Sequence, residues 1–446
     1  MSRRALIGQG VTVLTASAAA ATIARAQHVH EQVAAPATPP DTVAPRPRLG
    51  GARVAPGVPG RDYTPVIVPN GATLPFRVVD RVKVFHLTAG ECRHEFTPGL
   101  TATCWGYNGR TPGPVLEAVE GDRIRVYVTN RLPEATSIHW HGLLVPSGMD
   151  GTVGVSQPPI RSGETFVYEF DLEQHGTFLY HPHYDEMTQQ ALGMMGMIVV
   201  HPRGGRRRPA RDFALLSSEW RIALDTARPD PNEMTDFNIL TFNSRAFPGT
   251  APLVIQRLDD VRIRFGNLGA MSHHPIHVHG LAWRMTATDG GEVPRSAQFP
   301  ESTTLVPVGT TRTVEFTAEA SGDWAMHCHM THHTMNQMGH SGVNLIGVDR
   351  AKVDGATASL LPQYMTMGQT GMGDHGLMGM PVPANSVPMA GVAGPKGHID
   401  MGGMFTLLKV RDRVTGQADP GWYADPPGTV ARAATAEELR RDGVAP

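Results

Sequence analysis

Residues 327–338 read HCHMTHHTMNQM, placing four histidines around a single cysteine. In a β-strand, residues i and i+2 share one face and residue i+1 takes the other. Read as a strand, His327 and His329 aim at one place and Cys328 aims behind them. One strand then serves two metal sites, a histidine-fed cluster and a separate ion on the thiolate. Cysteine, two histidines and a weak axial methionine make a blue-copper electron-transfer site. His333 and Met338 follow Cys328 within the same stretch, and the earlier segment His274-Pro275-Ile276-His277 offers His274. His332 and His273 stand next to these ligands, and spacing favours His333 and His274.

The stretch belongs to a repeat. YNGRTPGPVLEAVEGDRIRVYVTN followed by SIHWHG in one half answers FNSRAFPGTAPLVIQRLDDVRIRFGN followed by HHPIHVHG in the other. GTFLYHPH answers GDWAMHCH. His139 and His141 map onto His277 and His279 at one constant offset, and His181 and His183 onto His327 and His329 at another. This is an internal duplication of one domain. Each copy alternates charged and apolar residues at period two, as in Asp122–Val128 and Val261–Phe265, between Gly/Pro turns. The expected fold class is all-β: two β-sandwich domains over residues 65–205 and 210–350. Eight histidines from two homologous halves imply a metal cluster at their interface; neutral imidazole suits copper, iron and zinc, and copper(II) binds most tightly in the divalent series. Pro182 stands where the second half has Cys328, so only the second half carries a blue site.

Composition sets outer bounds. The 446 residues carry a formal net charge of -2, which gives no basic surface for nucleic acid. Arg3-Arg4, a weakly apolar run from Val11 to Ile23 and Ala24-Arg25-Ala26 read as a twin-arginine export signal over 1–26. That run is too short and too Ala/Thr-rich to span a membrane, and no other segment could. Residues 27–62, rich in Ala and Pro, read as a disordered arm. The expected location is periplasmic or secreted. There, Cys92 and Cys104, flanking a Pro-Gly loop, are expected to form a disulfide contributing about 3 kcal/mol.

HWHG, HPH, HPIHVHG and HCHxxxHxxxxM together resemble the four motifs of the multicopper oxidases, across residues 100–350. The resemblance implies cupredoxin-like Greek-key domains and four coppers. It places a type 1 copper on His274, Cys328, His333 and Met338, and a type 2 copper on His139 and His277. A type 3 pair falls to His141, His181, His183, His279, His327 and His329. It also implies four one-electron oxidations of a small reductant coupled to reduction of dioxygen to water. The stretch from His141 to His274 is too short for a middle domain. The chain therefore resembles the two-domain members, whose cluster lies between domain 1 of one chain and domain 2 of the next in a homotrimer. Asp150 matches an acidic residue the family keeps near its cluster, a possible proton donor; it also reads as a turn aspartate before glycine. Thr334 stands where some members carry a second acid.

Residues 351–446 read as a methionine-rich segment and a C-terminal tail. Met365, Met367, Met372, Met378 and Met380, then Met389, Met401 and Met404, follow neither a helical nor a strand period. Thioethers select Cu(I), so the segment reads as gathering cuprous ions; the bland alternative is a low-complexity linker. Residues 404–410 read as a returning strand, and the last thirty or so as poorly ordered. Three functions compete: Cu(I) oxidation in copper tolerance, laccase-like oxidation of phenols or other organic reductants, and non-catalytic periplasmic copper binding. A complete electron relay argues against the last.

Overall fold

The computed structural model describes residues 54–204, 208–223, 226–337, 350–357, 384–389 and 391–445. Domain 1 is a sandwich of two sheets. One holds β1 (Arg77–Val79), β2 (Val82–Thr97), β3 (Leu100–Tyr107), β5 (Arg123–Asn130) and β7 (Thr165–Asp171); the other holds β4 (Leu116–Val119), β6 (His139–His141), β8 (Gly176–His181) and β9 (Gly196–His201). Alternation builds it. In β5 the even positions Ile124, Val126 and Val128 are buried while Arg123, Arg125 and Tyr127 face outward. Phe85, Leu87, Trp140, Phe170 and Tyr180 fill the space between the sheets.

Domain 2 repeats the plan. Its outer sheet runs through β10 (Arg211–Trp220), β11 (Ile239–Phe242), β13 (Asp260–Asn267), β15 (Trp283–Thr288), β16 (Gly291–Glu292), β17 (Pro300–Glu301) and β19 (Thr311–Thr317). Its inner sheet holds β12 (Leu253–Gln256), β14 (His274–Val278), β18 (Thr303–Val306), β20 (Gly322–Cys328) and β23 (Phe405–Arg411), while β21 (Ala393–Gly394) and β22 (Gly397–His398) pair as a separate hairpin. The pairings reproduce those of domain 1: β2 lies parallel to β5 as β10 does to β13, and β4 parallel to β9 as β12 does to β23. Both domains are cupredoxin-like. Three short helices accompany the strands among the described residues, α1 (Glu186–Ala191), α2 (Arg350–Thr357) and α3 (Ala436–Arg441). None of the described helices is long and apolar enough to cross a membrane.

The expected boundaries change in three places. First, β23 is the counterpart of β9 and lies hydrogen-bonded between β12 and β20. Everything between Cys328 and Phe405 is thus an insertion inside domain 2, and domain 2 does not end at 350. Second, residues 54–62, the described end of the expected disordered arm, and the adjoining Tyr63 dock on the fold. Gly57 N–H donates to Asp122 Oδ1 at 3.0 Å, and Tyr63 stacks on His201 with ring centroids 4.1 Å apart. Third, the C-terminal residues pack instead of fraying. Lys409 Nζ lies 4.6 Å over the Trp422 ring, Tyr423 N–H donates to Asp323 Oδ2, and Thr435 and Glu438 form a capping box on α3. The signal stretch 1–26 lies outside the described residues.

The expected disulfide is absent. Cys92 and Cys104 are direct register partners on β2 and β3, yet both are free thiols. Both thiols lie in one apolar core cluster, and burial pushes the Cys92 thiol up to about 11 and raises that of Cys104.

The domains meet where the end of β2 crosses the 243–249 loop. His94 Nε2 lies 2.6 Å from Ser244 O, Arg245 pairs with Glu95, and Ala246 N–H donates to Phe96 O. Burial holds His94 down to about 4, against about 6.5 in an unfolded chain. As pH falls from 6.5 towards 4, the unfolded chain binds a proton that the fold excludes. Stability then drops by up to about 1.4 kcal/mol per pH unit from this group alone. Urea unfolding of the metal-free protein between pH 7 and pH 5 should show at least that slope, since other buried histidines add to it, and His94→Gln should reduce the slope by about that amount.

Candidate metal centre

Two strands of domain 2 each serve both faces. In β14, His274, Ile276 and Val278 are buried on the core side while Pro275 and His277 face the other way. In β20, Cys328 lies in the core cluster, and His327 is its neighbour on the opposite face. β14 and β20 pair with His277 opposite His327, as β6 and β8 pair with His139 opposite His181. Strand parity therefore sorts every candidate ligand into one of two centres.

The thiolate centre holds His274, Cys328 and His333. Cys328 Sγ lies 3.8 Å from His274 Nδ1 and 3.5 Å from His333 Nδ1, and the two nitrogens are 3.2 Å apart. Nitrogens bound about 2.0 Å from one ion at a tetrahedral angle sit about 3.3 Å apart, so the three donors fit a single metal. Burial pushes His274 down to about 3 and the Cys328 thiol up to about 12. The imidazole is held in its ligating, neutral form, and a bound cation is what would draw the proton off the sulfur. His332 is exposed, and His273 accepts the Val308 N–H at its Nδ1. Met338 lies outside the described residues, as do Met365, Met367, Met372, Met378 and Met380.

The remaining eight histidines form two quartets. His139 stands centrally in domain 1, with ring centroids 5.7, 5.4 and 5.6 Å from His141, His181 and His183. His277 stands centrally in domain 2, at 5.0, 5.6 and 5.5 Å from His279, His327 and His329. Nitrogens face each other at 3.2 Å between His141 and His181 and between His279 and His327. Outer contacts fix the tautomers. Nδ1–H of His139, His181, His277 and His327 donates to the carbonyls of Asp150, Pro182, Ser302 and Cys328, each at 2.9 Å, leaving Nε2 for a metal. Burial holds His181 down to about 3 and lowers His141, His279 and His327, with neighbouring imidazoles adding to the effect.

Asp150 reaches His139 twice, through its carbonyl and through Oδ1 at 3.3 Å. Gly151 makes this approach possible: its φ is +89°, and a Cβ there would lie 1.6 Å from Ile138 O. Sequence reading missed Glu186, whose carboxylate lies 3.2 Å from His181 Nδ1. It also missed Asn336, although that residue lies inside the opening stretch. Fully buried, Asn336 donates to Phe247 O and Pro388 O and accepts from Gly403 N–H. Its position between His333 and Met338 was the available signal.

Among the described residues, no ring contact or hydrogen bond joins a histidine of one quartet to the other. Within one chain, His141 borders the turn at Gly309 of domain 2 instead.

Multicopper oxidase models match residues 89–205 and 223–345, together more than half of the chain. The chain belongs to the multicopper oxidase family. Copper resistance protein A of Pseudomonas syringae pv. tomato is 28% identical over 350 residues, covering 66% of this chain and 55% of that protein. L-ascorbate oxidase of Nicotiana tabacum is 38% identical over 133 residues, 28% of this chain and 23% of that one. The chain spans about half the length, or less, of the curated relatives it matches. A multicopper oxidase from Pseudomonas thermotolerans superposes with a TM-score of 0.51 at 28% identity, over 56% of this chain and 61% of that one. Blue Copper Oxidase from Nitrosomonas europaea shares the fold, with a TM-score of 0.55 at 23% identity over 73% and 85% of the two chains.

Residues 402–404 close the thiolate centre. Gly402 N–H donates to Thr334 O, Met404 N–H to His333 O, and Cys328 N–H to Met404 O. Gly403 has φ +54°, and a Cβ there would lie 2.2 Å from His333 O. Gly403→Ala should destabilise the fold by about 1–3 kcal/mol and speed loss of the thiolate-bound metal to a chelator. Thermal melting and a timed chelation assay would show both.

Proposed function

We propose that this chain is an oxygen-reducing copper oxidase whose physiological reductant is Cu(I), acting in copper tolerance. The observation that carries the oxidase reading is the double use of β14 and β20, which sets a thiolate centre and a histidine centre back to back. Bound copper, four ions per working unit, would supply the redox chemistry: four one-electron oxidations of a reductant matched to reduction of one dioxygen to two waters. The chain's own residues keep the centres distinct and adjacent. Cys328 is bonded directly to His327 and His329, and His327 Nδ1–H closes a further link to the Cys328 carbonyl. Asp150, beside His139, is suited to hand protons to the reacting oxygen.

The two quartets complete one cluster only between chains, in a homotrimer closed by heterologous contacts. That no ring contact or hydrogen bond joins the two quartets within one chain, among the described residues, supports this reading. Co-assembly of a His139→Ala/His181→Ala chain with a His277→Ala/His327→Ala chain tests it. Each variant alone should take up no oxygen, and the mixed assembly should recover a clear fraction of wild-type uptake. Export by the twin-arginine route to the periplasm or outside the cell completes the proposal; such a location would expose the enzyme to copper before it reaches the cytoplasm.

Support for Cu(I) comes from the methionine-rich insertion and from the similarity to copper resistance protein A. Described residues before and after the methionine-rich stretch meet at the thiolate loop, with Asn336 N–H donating to Met389 O at 2.7 Å. Because 384–404 packs on that loop, the informative deletion is 364–380. Oxygen uptake should be faster with Cu(I) than with a simple phenol, and the deletion should remove that advantage without changing phenol turnover. Preference for phenol, unaltered by the deletion, would make the protein a laccase. No uptake with either reductant in copper-loaded protein would leave a copper-binding protein.

A further inference from the structure

Glu219 is a charged residue in a strand that is otherwise buried almost throughout. It is 5% exposed on β10, where it pairs with Leu240 of β11. Its Oε1 accepts the backbone N–H groups of Met271 and Ser272. Those residues lead directly to His274. The same loop is pinned by Asn267, which accepts the Gly269 N–H and donates to Ser272 O, and by Leu268 N–H donating to Ser217 O. Gly269 allows the close approach: a Cβ there would lie 3.3 Å from Glu219 Cδ. The second oxygen, Oε2, is fully buried and meets no donor.

A carboxylate with one oxygen unsatisfied in a protein interior is expensive unless a positive group compensates it. Among the described residues no cationic side chain pairs with it, but the thiolate centre is close along the chain: Ser272, which donates its N–H to Glu219 Oε1, lies two residues before His274. A cupric ion on one thiolate and two neutral imidazoles carries net charge +1, and a cuprous ion there carries zero. A fixed negative charge close by stabilises the first over the second.

We infer that Glu219 is a positioning residue for the thiolate copper centre, fixing the loop that delivers His274 and, by its buried charge, holding that centre's reduction potential down. The inference rests on the copper assignment made above. It concerns the chain's own electrostatics and adds no ligand.

The test is a redox titration of the thiolate–copper absorption band in the copper-loaded full chain. Glu219→Gln keeps the Oε1 acceptor and removes the charge; Glu219→Met is a second neutral arm that also removes the orphaned acceptor. Glu219→Asp keeps the charge. The midpoint potential should shift upward in the neutral variants, with the band retained, and stay near wild type in Glu219→Asp. Equal potentials in the neutral and charged variants would overturn the inference and leave Glu219 a loop anchor. A wild-type protein that binds copper without that band would instead sink the copper assignment itself.

Discussion

The arrangement depends on one geometric constraint, the two-residue period of a β-strand. Alternate side chains on β20 and β14 must face opposite ways, so a histidine pair and a single cysteine or histidine on one strand cannot share a centre. Pairing β14 with β20 in the register that opposes His277 to His327 then stacks two half-sites on the cluster face and two on the core face. A slip of one residue would exchange the faces and dissolve both centres. The buried side chains of the domain 2 core, Ile276, Val278 and Met326 among them, resist that slip. Packing energy thus holds the metal geometry in place.

The duplication explains what domain 1 lacks. Both domains bring a histidine quartet together with the same strand pairings. Between β8 and β9, domain 1 makes a short turn through α1. Domain 2 opens the corresponding connection between β20 and β23 and places there the thiolate loop, the methionine-rich insertion and the returning residues 384–404. In sequence, His333 of the centre proposed to receive electrons and the segment proposed to gather Cu(I) therefore fall in one connection. Asn336, Gly402 and Gly403 clip its two ends together.

Much of this was legible in the sequence because its signals were periodic or repeated. The His-x-His pairs at duplicated positions defined the quartets, and strand parity separated Cys328 from its neighbours. Parity also separates His274 from His277, a reading available in HHPIHVHG. What stayed hidden depended on contacts between distant segments. Glu219 and Glu186 meet the sites only through the fold, and no local pattern marks them. Cys92 and Cys104 suggested a crosslink by their spacing, but the fold packs them as buried free thiols in an apolar core. The C-terminal residues looked polar and unstructured because their partners, Asp323 and Lys409, lie on domain 2 strands.

The most direct measurement is anomalous diffraction at the copper edge from crystals of the copper-loaded protein. The account predicts one copper bonded to Cys328 Sγ, His274 Nδ1 and His333 Nδ1. It predicts the other three between the His139 quartet of one chain and the His277 quartet of another. Copper absent from Cys328, or a cluster assembled from the quartets of a single chain, would contradict it.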